Sequence, residues 1–421
     1  MNSLDKAKLL DQNDPLSKFR KQFFHPENEI YFDGNSLGKM PLAAKSQLHK
    51  TIDEQWGKGL IGSWNSHWID LPSRIAKKYS QLLGAEKDEI IIGESTSVRL
   101  YQSIHALLKS NLYPKQLVTD TLNFPSNLYI MDGLTRIFKI PQVLKLDYSQ
   151  EIEANIKKLK SSIKENPGII CLSLVSYKSS YLYPMKELNE WANEHQSIIV
   201  WDLSHAVGAV PINLKTSATR IALGCTYKYM NGGPGAPAFL FIEKSLQSQI
   251  YNPIQGWFGH QNPFDFSSEY IAATDINRFA SGTPSVLSMQ AMEGGIDMIL
   301  ESGIKKIREK SLLQSENLID LVEKHLVPIG FQLESPRDSL FRGSHITLSH
   351  ESSWQICQTL ISGNNNKPKI IPDFRPPNFI RFGITPLYTK HNEIYQLVKR
   401  LEAIVKKKYF LSFTKEKPQV T

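Results

Sequence analysis

Lys228 is the residue with the clearest chemical potential. It follows a short apolar run at 221–225 and precedes Asn231-Gly232-Gly233-Pro234-Gly235, so a strand delivers it into a glycine-rich loop. A lysine so placed is partly desolvated, which favours the neutral amine. A neutral amine can form a Schiff base with a carbonyl. Other polar groups sit at further apolar runs: Thr96 and Ser97 after 89–93, Ser173 within 168–177, and Asp202 with His205 after 197–201. Each has an ordinary reading by itself. Thr96 and Ser97 suit a helix N-cap pair, Asp202 suits a cap, and His205 suits a satisfied core histidine. Together with Lys228 they meet the needs of pyridoxal phosphate. The phosphate takes N–H groups and hydroxyls at the start of a helix near Val98. Asp202 keeps the pyridine nitrogen protonated, making the ring an electron sink. Phe124, just past a strand candidate at 116–119, offers a stacking face.

These groups need a sheet to align them. Apolar runs at 89–93, 116–119, 168–177, 197–201, 221–225 and 239–242 alternate with helical spacing such as Leu100, Ile104, Leu107 and Leu108. Continuous apolar strands between helices imply a largely parallel sheet covered on both faces. Ligands of such sheets bind beyond the carboxyl ends of the strands. After about residue 285 the pattern changes. Helices are expected from Val286 toward Leu300 and over 312–326. Short strands follow near Phe331, at 344–348 and at 379–382. A closing amphipathic helix carries Ile394, Leu397, Val398, Leu401, Ile404 and Val405. The first 65 residues read as irregular. The organisation expected is an N-terminal arm with part of a small domain over 1–65, a large cofactor-binding domain over 66–290, and a small α+β domain over 291–421.

Composition narrows the function classes. A chain of 421 residues, 41% hydrophobic and 21% charged, is globular and needs no disulfide or metal staple. The 49 Lys and Arg against 41 Asp and Glu leave +8, spread along the chain. The one dense run, Lys406, Lys407 and Lys408, reads as a solvated helix face, whereas nucleic acid needs a concentrated basic stripe. Cys171, Cys225 and Cys357 lack both disulfide-framework and metal-ligand spacing. The first 21 residues have no apolar core of a secretory signal, and no apolar run approaches the ~18 residues of a membrane span. A reducing, cytoplasmic setting is expected, with no nucleic-acid, membrane or metal partner.

Several segments resemble one family. They are Tyr31-Phe32-Asp33-Gly34-Asn35-Ser36-Leu37-Gly38, Asn123-Phe124-Pro125-Ser126, Asp202-Leu203-Ser204-His205 and Cys225-Thr226-Tyr227-Lys228-Tyr229-Met230-Asn231-Gly232-Gly233-Pro234-Gly235. Gly256-Trp257-Phe258-Gly259-His260 and Arg381-Phe382-Gly383-Ile384-Thr385-Pro386-Leu387-Tyr388 complete the set. In order, these resemble kynureninase, a fold-type-I, class-V-like pyridoxal-phosphate enzyme. The Lys and Asp segments are shared with many fold-type-I enzymes; the first, fifth and last are more specific.

The resemblance implies hydrolysis of the Cβ–Cγ bond of L-kynurenine to anthranilate and L-alanine, in tryptophan catabolism by the kynurenine pathway. It implies that Lys228, Tyr227 and Asp202 are catalytic. It places Thr96, Ser97 and Tyr227 around the phosphate, Phe124 on the ring, Ser173 at its edge and His205 near Asp202. Pro125, Ser126 and Asn127 extend the cofactor set. Trp257 and Thr283 would come from the second subunit of a homodimer with shared sites. Arg381 would take the substrate α-carboxylate as a bidentate pair, with Ser36, Asn35 and Trp64 also at the substrate. Trp64, where animal members have His, implies kynurenine over 3-hydroxykynurenine. Asn127 departs from the family's usual Asp. That removes a negative charge near the cofactor, which bears on ring tuning more than on binding. The nearest alternative is another fold-type-I lyase or transaminase such as a cysteine desulfurase. That chemistry needs an accessible cysteine, and the candidate, Cys357, reads as lying on a helix face. A non-catalytic cofactor-binding or nucleic-acid-binding protein is a further alternative, opposed by the joint presence of Lys228, Asp202 and Arg381.

Overall fold

The computed structural model describes residues 3–363 and 368–414. The domain expected over 291–421 thus runs past the described residues. Seven strands form the main sheet, in the order Ile90–Ile92, Phe239–Ile242, Ile221–Gly224, Ile198–Asp202, Ile169–Ser173, Leu117–Asp120 and Leu144–Leu146. Phe239–Ile242 runs antiparallel to both neighbours, and every other adjacent pair is parallel. The six strands from Ile90–Ile92 through Leu117–Asp120 in that order are buried at every residue. That is why they read as continuous apolar runs.

Alternate residues of these strands feed two separate cores. Ile170, Leu172, Ile199 and Trp201 pack with Ile75 and Tyr79 of helix Leu71–Leu83 and with Met292 and Ile296 of helix Val286–Ser302. Ile169, Cys171, Ile198 and Val200 pack with Leu100, Ile104 and Leu107 of helix Thr96–Ser110 and with Leu134 of helix Pro125–Phe138.

A second, antiparallel sheet orders Asp373–Arg375, Phe379–Gly383, His345–Ser349 and Gln332–Leu333. Its apolar face packs with Leu318 and Val322 of helix Ile304–His325, Leu360 of Ser353–Ser362, and Leu397 and Leu401 of His391–Lys406. Glu29–Tyr31 pairs in parallel with Lys369–Ile371.

The structure corrects the expectation of an irregular N-terminus. Ser3–Gln12 is helical and packs on His391–Lys406, and Leu42–Lys50 is helical and packs on Val286–Ser302. Wider helical turns follow over Thr51–Gly59 and Trp64–Trp68. Their weak apolar patterning acquires helix only through these tertiary partners. The helix expected over 312–326 begins earlier, at Ile304, after Gly303 with φ +80°. Lys406 ends the last helix and pairs with Glu402 at 2.7 Å, so Lys407 and Lys408 lie beyond it.

Helix Val286–Ser302 is seated against the loop that carries Lys228. A Cβ on Gly295, in mid-helix, would collide with the backbone carbonyl oxygen of Met230. Gly295→Ala raises intrinsic helix propensity by about 1 kcal/mol, yet it is expected to destabilise the protein by roughly 1–3 kcal/mol through overpacking. Chemical denaturation reads the sign. A variant as stable as the parent would mean that the helix is not pressed on that loop.

Candidate active site

The parallel register aligns the polar strand ends. Ser173 pairs with Asp202, Asp202 pairs with Leu223, and the chain then passes through Cys225 into the Tyr227-Lys228 loop. That loop is pinned from several sides. Thr226 Oγ1 donates to the Pro237 carbonyl at 2.7 Å, and Asn231 N–H to the Lys228 carbonyl at 2.9 Å. Gly38 N–H donates to the Tyr227 carbonyl at 2.8 Å, and a Cβ on Gly38 would strike the Lys228 carbonyl.

Lys228 is half-buried, with Nζ 3.0 Å from Nε2 of His205 and 5.7 Å from the Phe124 ring centroid. Among the described residues it makes no ion pair with a carboxylate. Burial lowers its pKa from the usual lysine value. His205 is held well below the ordinary histidine pKa by burial first and by Lys228 second. A neutral imidazole therefore faces a weakened ammonium, which is the arrangement that frees an amine lone pair.

Asp202 is buried and accepts from the Ser204 backbone N–H at 2.9 Å and from Asn127 Nδ2 at 2.9 Å. Asn127 Nδ2 also donates to Asn123 Oδ1 at 2.9 Å, and Ser173 Oγ donates to the same oxygen at 2.7 Å. Asn127 is thus a neutral donor to Asp202. A second acid in that position would confront Asp202 with a like charge. Asn127, which brings no charge, supports the Asp202 carboxylate.

Ser95, not the pair Thr96/Ser97, is the N-cap of helix Thr96–Ser110, accepting from Val98 N–H at 3.3 Å. Its side chain does the capping, so those of Thr96 and Ser97 are left for other partners. Ser97 Oγ lies 3.0 Å from Ser126 Oγ, bringing together the first turns of that helix and of Pro125–Phe138. Pro125 opens the second helix, where its missing N–H costs nothing. A cavity of about 1050 Å³ is walled by Thr96, Ser97, Tyr227 and Thr283. Lys228, Asp202 and Phe124 are not in its wall. Burial pushes the Tyr227 phenol up.

Arg381 is buried, and its Nε and Nη2 both contact Asp373. Nη1 donates to the Tyr177 carbonyl at 2.5 Å and Nη2 to Ser36 Oγ at 3.3 Å. The Nε–Nη2 edge is therefore occupied, and of the five N–H donors one, on Nη1, has no partner among the described residues. Arg375 lies alongside, with Nη2 3.5 Å from Ser36 Oγ. Asp33 is pushed up to about 7 by burial first and by Asp373 second. Asn35 is fully buried against Gly383, and neither of its amide atoms finds a partner among the described residues.

Two expected residues stand apart from Lys228 within one chain. Trp257 packs on Phe258, Phe264 and Phe266 with centroids 4.7, 5.7 and 6.1 Å away. Trp64 lies 6.1 Å from Phe258 and 6.0 Å from Trp68. Residues that sequence reasoning passed over are Asn123, the shared acceptor, Asp373 with Arg375 beside Arg381, and His345. The His345 ring is fully buried, 5.9 Å from His205, with neither nitrogen hydrogen-bonded among the described residues. Asn123 stands in a segment already singled out. Nothing local marks His345.

The chain is similar to known proteins over nearly all of its length. The aminotransferase class-V family matches residues 46–334, and the kynureninase C-terminal domain matches residues 307–401. The chain is 36% identical over 413 residues to a kynureninase of Pseudomonas fluorescens, covering 97% of each. It is 35% identical over 410 residues to a kynureninase of Burkholderia mallei, covering 96% of each. Among solved structures, a cysteine desulfurase from Thermococcus onnurineus superposes with TM-score 0.80 at 16% identity, covering 93% of this chain and 98% of that one. At that identity the likeness shows the fold alone, which is that of the fold-type-I enzymes.

The two buried histidines give the fold a pH dependence. His205 and His345 are both held well below the ordinary histidine value by burial, with Lys228, Arg381 and Arg375 adding repulsion. Below about pH 6.5 the unfolded chain binds protons that the folded chain refuses, so stability falls as pH drops. His345→Gln is expected to flatten part of that slope in denaturation midpoints measured between about pH 8 and 5. An unchanged slope would mean that His345 binds its proton equally well in the folded and unfolded chain.

Proposed function

The chain belongs to the kynureninase family, and from that premise we propose how its own residues carry the reaction. The enzyme hydrolyses the Cβ–Cγ bond of L-kynurenine to anthranilate and L-alanine and depends on pyridoxal phosphate. The observation that carries the residue assignments is the weakened Lys228 ammonium 3.0 Å from a neutral His205, at the end of the strand beside Asp202.

The residues fit the cofactor. The helix N-terminus with Thr96 and Ser97 suits a phosphate, the Asp202 carboxylate keeps lone pairs beyond its two donors, and Phe124 presents a ring beside Lys228. Pyridoxal phosphate, when bound, supplies an aldehyde for the substrate amine and an electron-withdrawing ring. Lys228 Nζ holds the cofactor and then accepts the substrate Cα proton as general base. His205, neutral and within hydrogen-bond reach, takes up or returns that proton at Nε2. Asp202 holds a proton on the pyridine nitrogen, with Asn127 and Ser204 fixing its carboxylate. Arg381, oriented by Asp373, takes the substrate carboxylate. Tyr227, whose phenol burial keeps protonated, is a donor toward the leaving side. We take 66–290 as the body that holds the cofactor, with 1–65 and 291–421 closing over the carboxylate end.

We also propose a homodimer. Leu60, Ile61, Phe266 and Ile271 are well exposed on segments adjoining Trp64 and Trp257. Apolar exposure of that extent marks an interface, and it lies where Trp257 and Thr283 would reach a second site. A desulfurase reading is opposed by the cysteines. Cys357 is fully buried, and burial pushes its thiol well up. Three buried free thiols suit a cytoplasmic location. Among the described residues no helix is long and apolar enough to cross a membrane.

Incubation with kynurenine is expected to release fluorescent anthranilate, and Lys228→Ala to abolish it. Near-normal turnover in that variant removes Lys228 as tether and base. Mixing inactive Lys228→Ala chains with inactive Trp257→Ala chains is expected to restore roughly a quarter of parental activity by statistical pairing. Mixed dimers with no activity would rule out a cross-subunit Trp257. Trp64 offers a large face and a single donor, so the extra hydroxyl of 3-hydroxykynurenine is left unpaired. Its kcat/KM is expected to be roughly 5- to 150-fold lower. Equal values for the two substrates would discard Trp64 as the determinant.

A further inference from the structure

Arg99 lies in the first turns of helix Thr96–Ser110, and its side chain turns back toward the helix start. It is 1% exposed. Nε donates to the Gly93 carbonyl at 2.9 Å, and Nη1 to the Phe279 carbonyl at 2.7 Å and to Gln102 Oε1 at 3.0 Å. Nη2 has no protein acceptor among the described residues. It sits beside Gly93, where an added Cβ would come within 2.8 Å of it, and both residues wall the cavity that also holds Thr96, Ser97 and Tyr227.

This placement is unfavourable for an empty protein. A helix N-terminus is already the positive pole, and a cation there is repelled. Arg99 makes no ion pair among the described residues. Glu94, also on the cavity wall, is the acid that acts on it. Burial lowers its pKa to about 10, so the group is still charged at neutral pH. A buried charge without a carboxylate partner is retained only where something offsets its cost. The carbonyls of Gly93 and Phe279 do part of this. The remaining donor and the remaining charge both face the cavity.

We propose that Arg99 is the fixed cation of the phosphate subsite, with Nη2 donating to a phosphate oxygen and keeping that phosphate doubly charged. This rests on the cofactor reading above. The same side chain ties the walls together. Gln102, which Arg99 contacts, donates to Asn252 Oδ1 at 3.1 Å and to Ser281 Oγ at 3.2 Å, two residues before Thr283. A purely structural role and a phosphate role must therefore be separated by experiment.

Dissociation constants of the apoprotein for pyridoxal phosphate and for pyridoxal, which lacks the phosphate, make that separation. Arg99→Met is expected to weaken pyridoxal phosphate at least about tenfold while changing pyridoxal less than about twofold. Arg99→Lys, which keeps the charge and disturbs the walls least, is expected to retain most of the preference. Gln102→Ala is expected to lower the melting temperature and leave the ratio of the two constants unchanged. In the parent the ³¹P resonance of the bound cofactor should stay flat down to about pH 5.5, whereas in Arg99→Met it should titrate near about pH 6. Equal weakening of both ligands in Arg99→Met, or an equal loss of preference in Gln102→Ala, overturns the proposal and leaves a wall-holding residue. If Arg99→Met does not fold, Arg99→Gln is read in its place, and equal weakening of pyridoxal phosphate and pyridoxal there overturns the proposal. A parent protein that binds no pyridoxal phosphate removes the cofactor reading and this role with it.

Discussion

A lysine amine partly withdrawn from water, with no carboxylate paired to it among the described residues, is the constraint on which the rest of the site depends. Such a group costs folding free energy, and only a tightly fixed surround keeps the chain from relaxing around it. The surround here is backbone. Gly38 and Gly295 let two distant segments press their chains onto the Lys228 loop, each at a point where a side chain would collide with a carbonyl oxygen. The polar neighbour of Lys228 is His205, whose imidazole the same burial keeps neutral. The site is destabilising by itself and is paid for by the two apolar layers that clamp the sheet beneath it.

Charge is distributed around this lysine in a way that avoids quenching it. Asp202, at the large sheet, is held by donors that carry no charge, the Ser204 backbone and Asn127. Asp33 and Asp373 sit beside Arg375 and Arg381 at the second sheet. The substitution of an amide at position 127 fits this division. It hands Asp202 a donor where an acid would have forced two carboxyl groups to share a proton.

The parallel sheet was legible because its strands are buried on both faces and therefore announce themselves as apolar runs, and its polar ends follow directly. Lys228, Asp202 and Ser173 needed only that reasoning. The N-terminal helices were hidden because their apolar residues have no period strong enough to stand without the helices they pack on. Residues 33–38 were recognisable by resemblance, but their physical reason emerges only in the fold. There Gly34 lies against Thr385 and Tyr388, Asn35 against Gly383, and Gly38 against Asn231. His345 was invisible, since a buried histidine in a strand is indistinguishable from a core residue until its neighbours are known.

The pairing of Arg381 with Asp373 changes what the carboxylate site demands of a substrate. A guanidinium free on all sides would accept a carboxylate along its Nε–Nη2 edge, the geometry that best matches two parallel donors. Asp373 occupies that edge, and the Tyr177 carbonyl takes one Nη1 hydrogen. What remains is one Nη1 hydrogen, with Ser36 and Arg375 alongside. In the proposed role of Arg381, a substrate carboxylate would share two guanidinium groups and a hydroxyl instead of monopolising one, and Asp373 would set its approach direction. Asp373 thus orients the cation. It offsets the cost of burying Arg381 while the site is free and leaves only one face from which a carboxylate can bind.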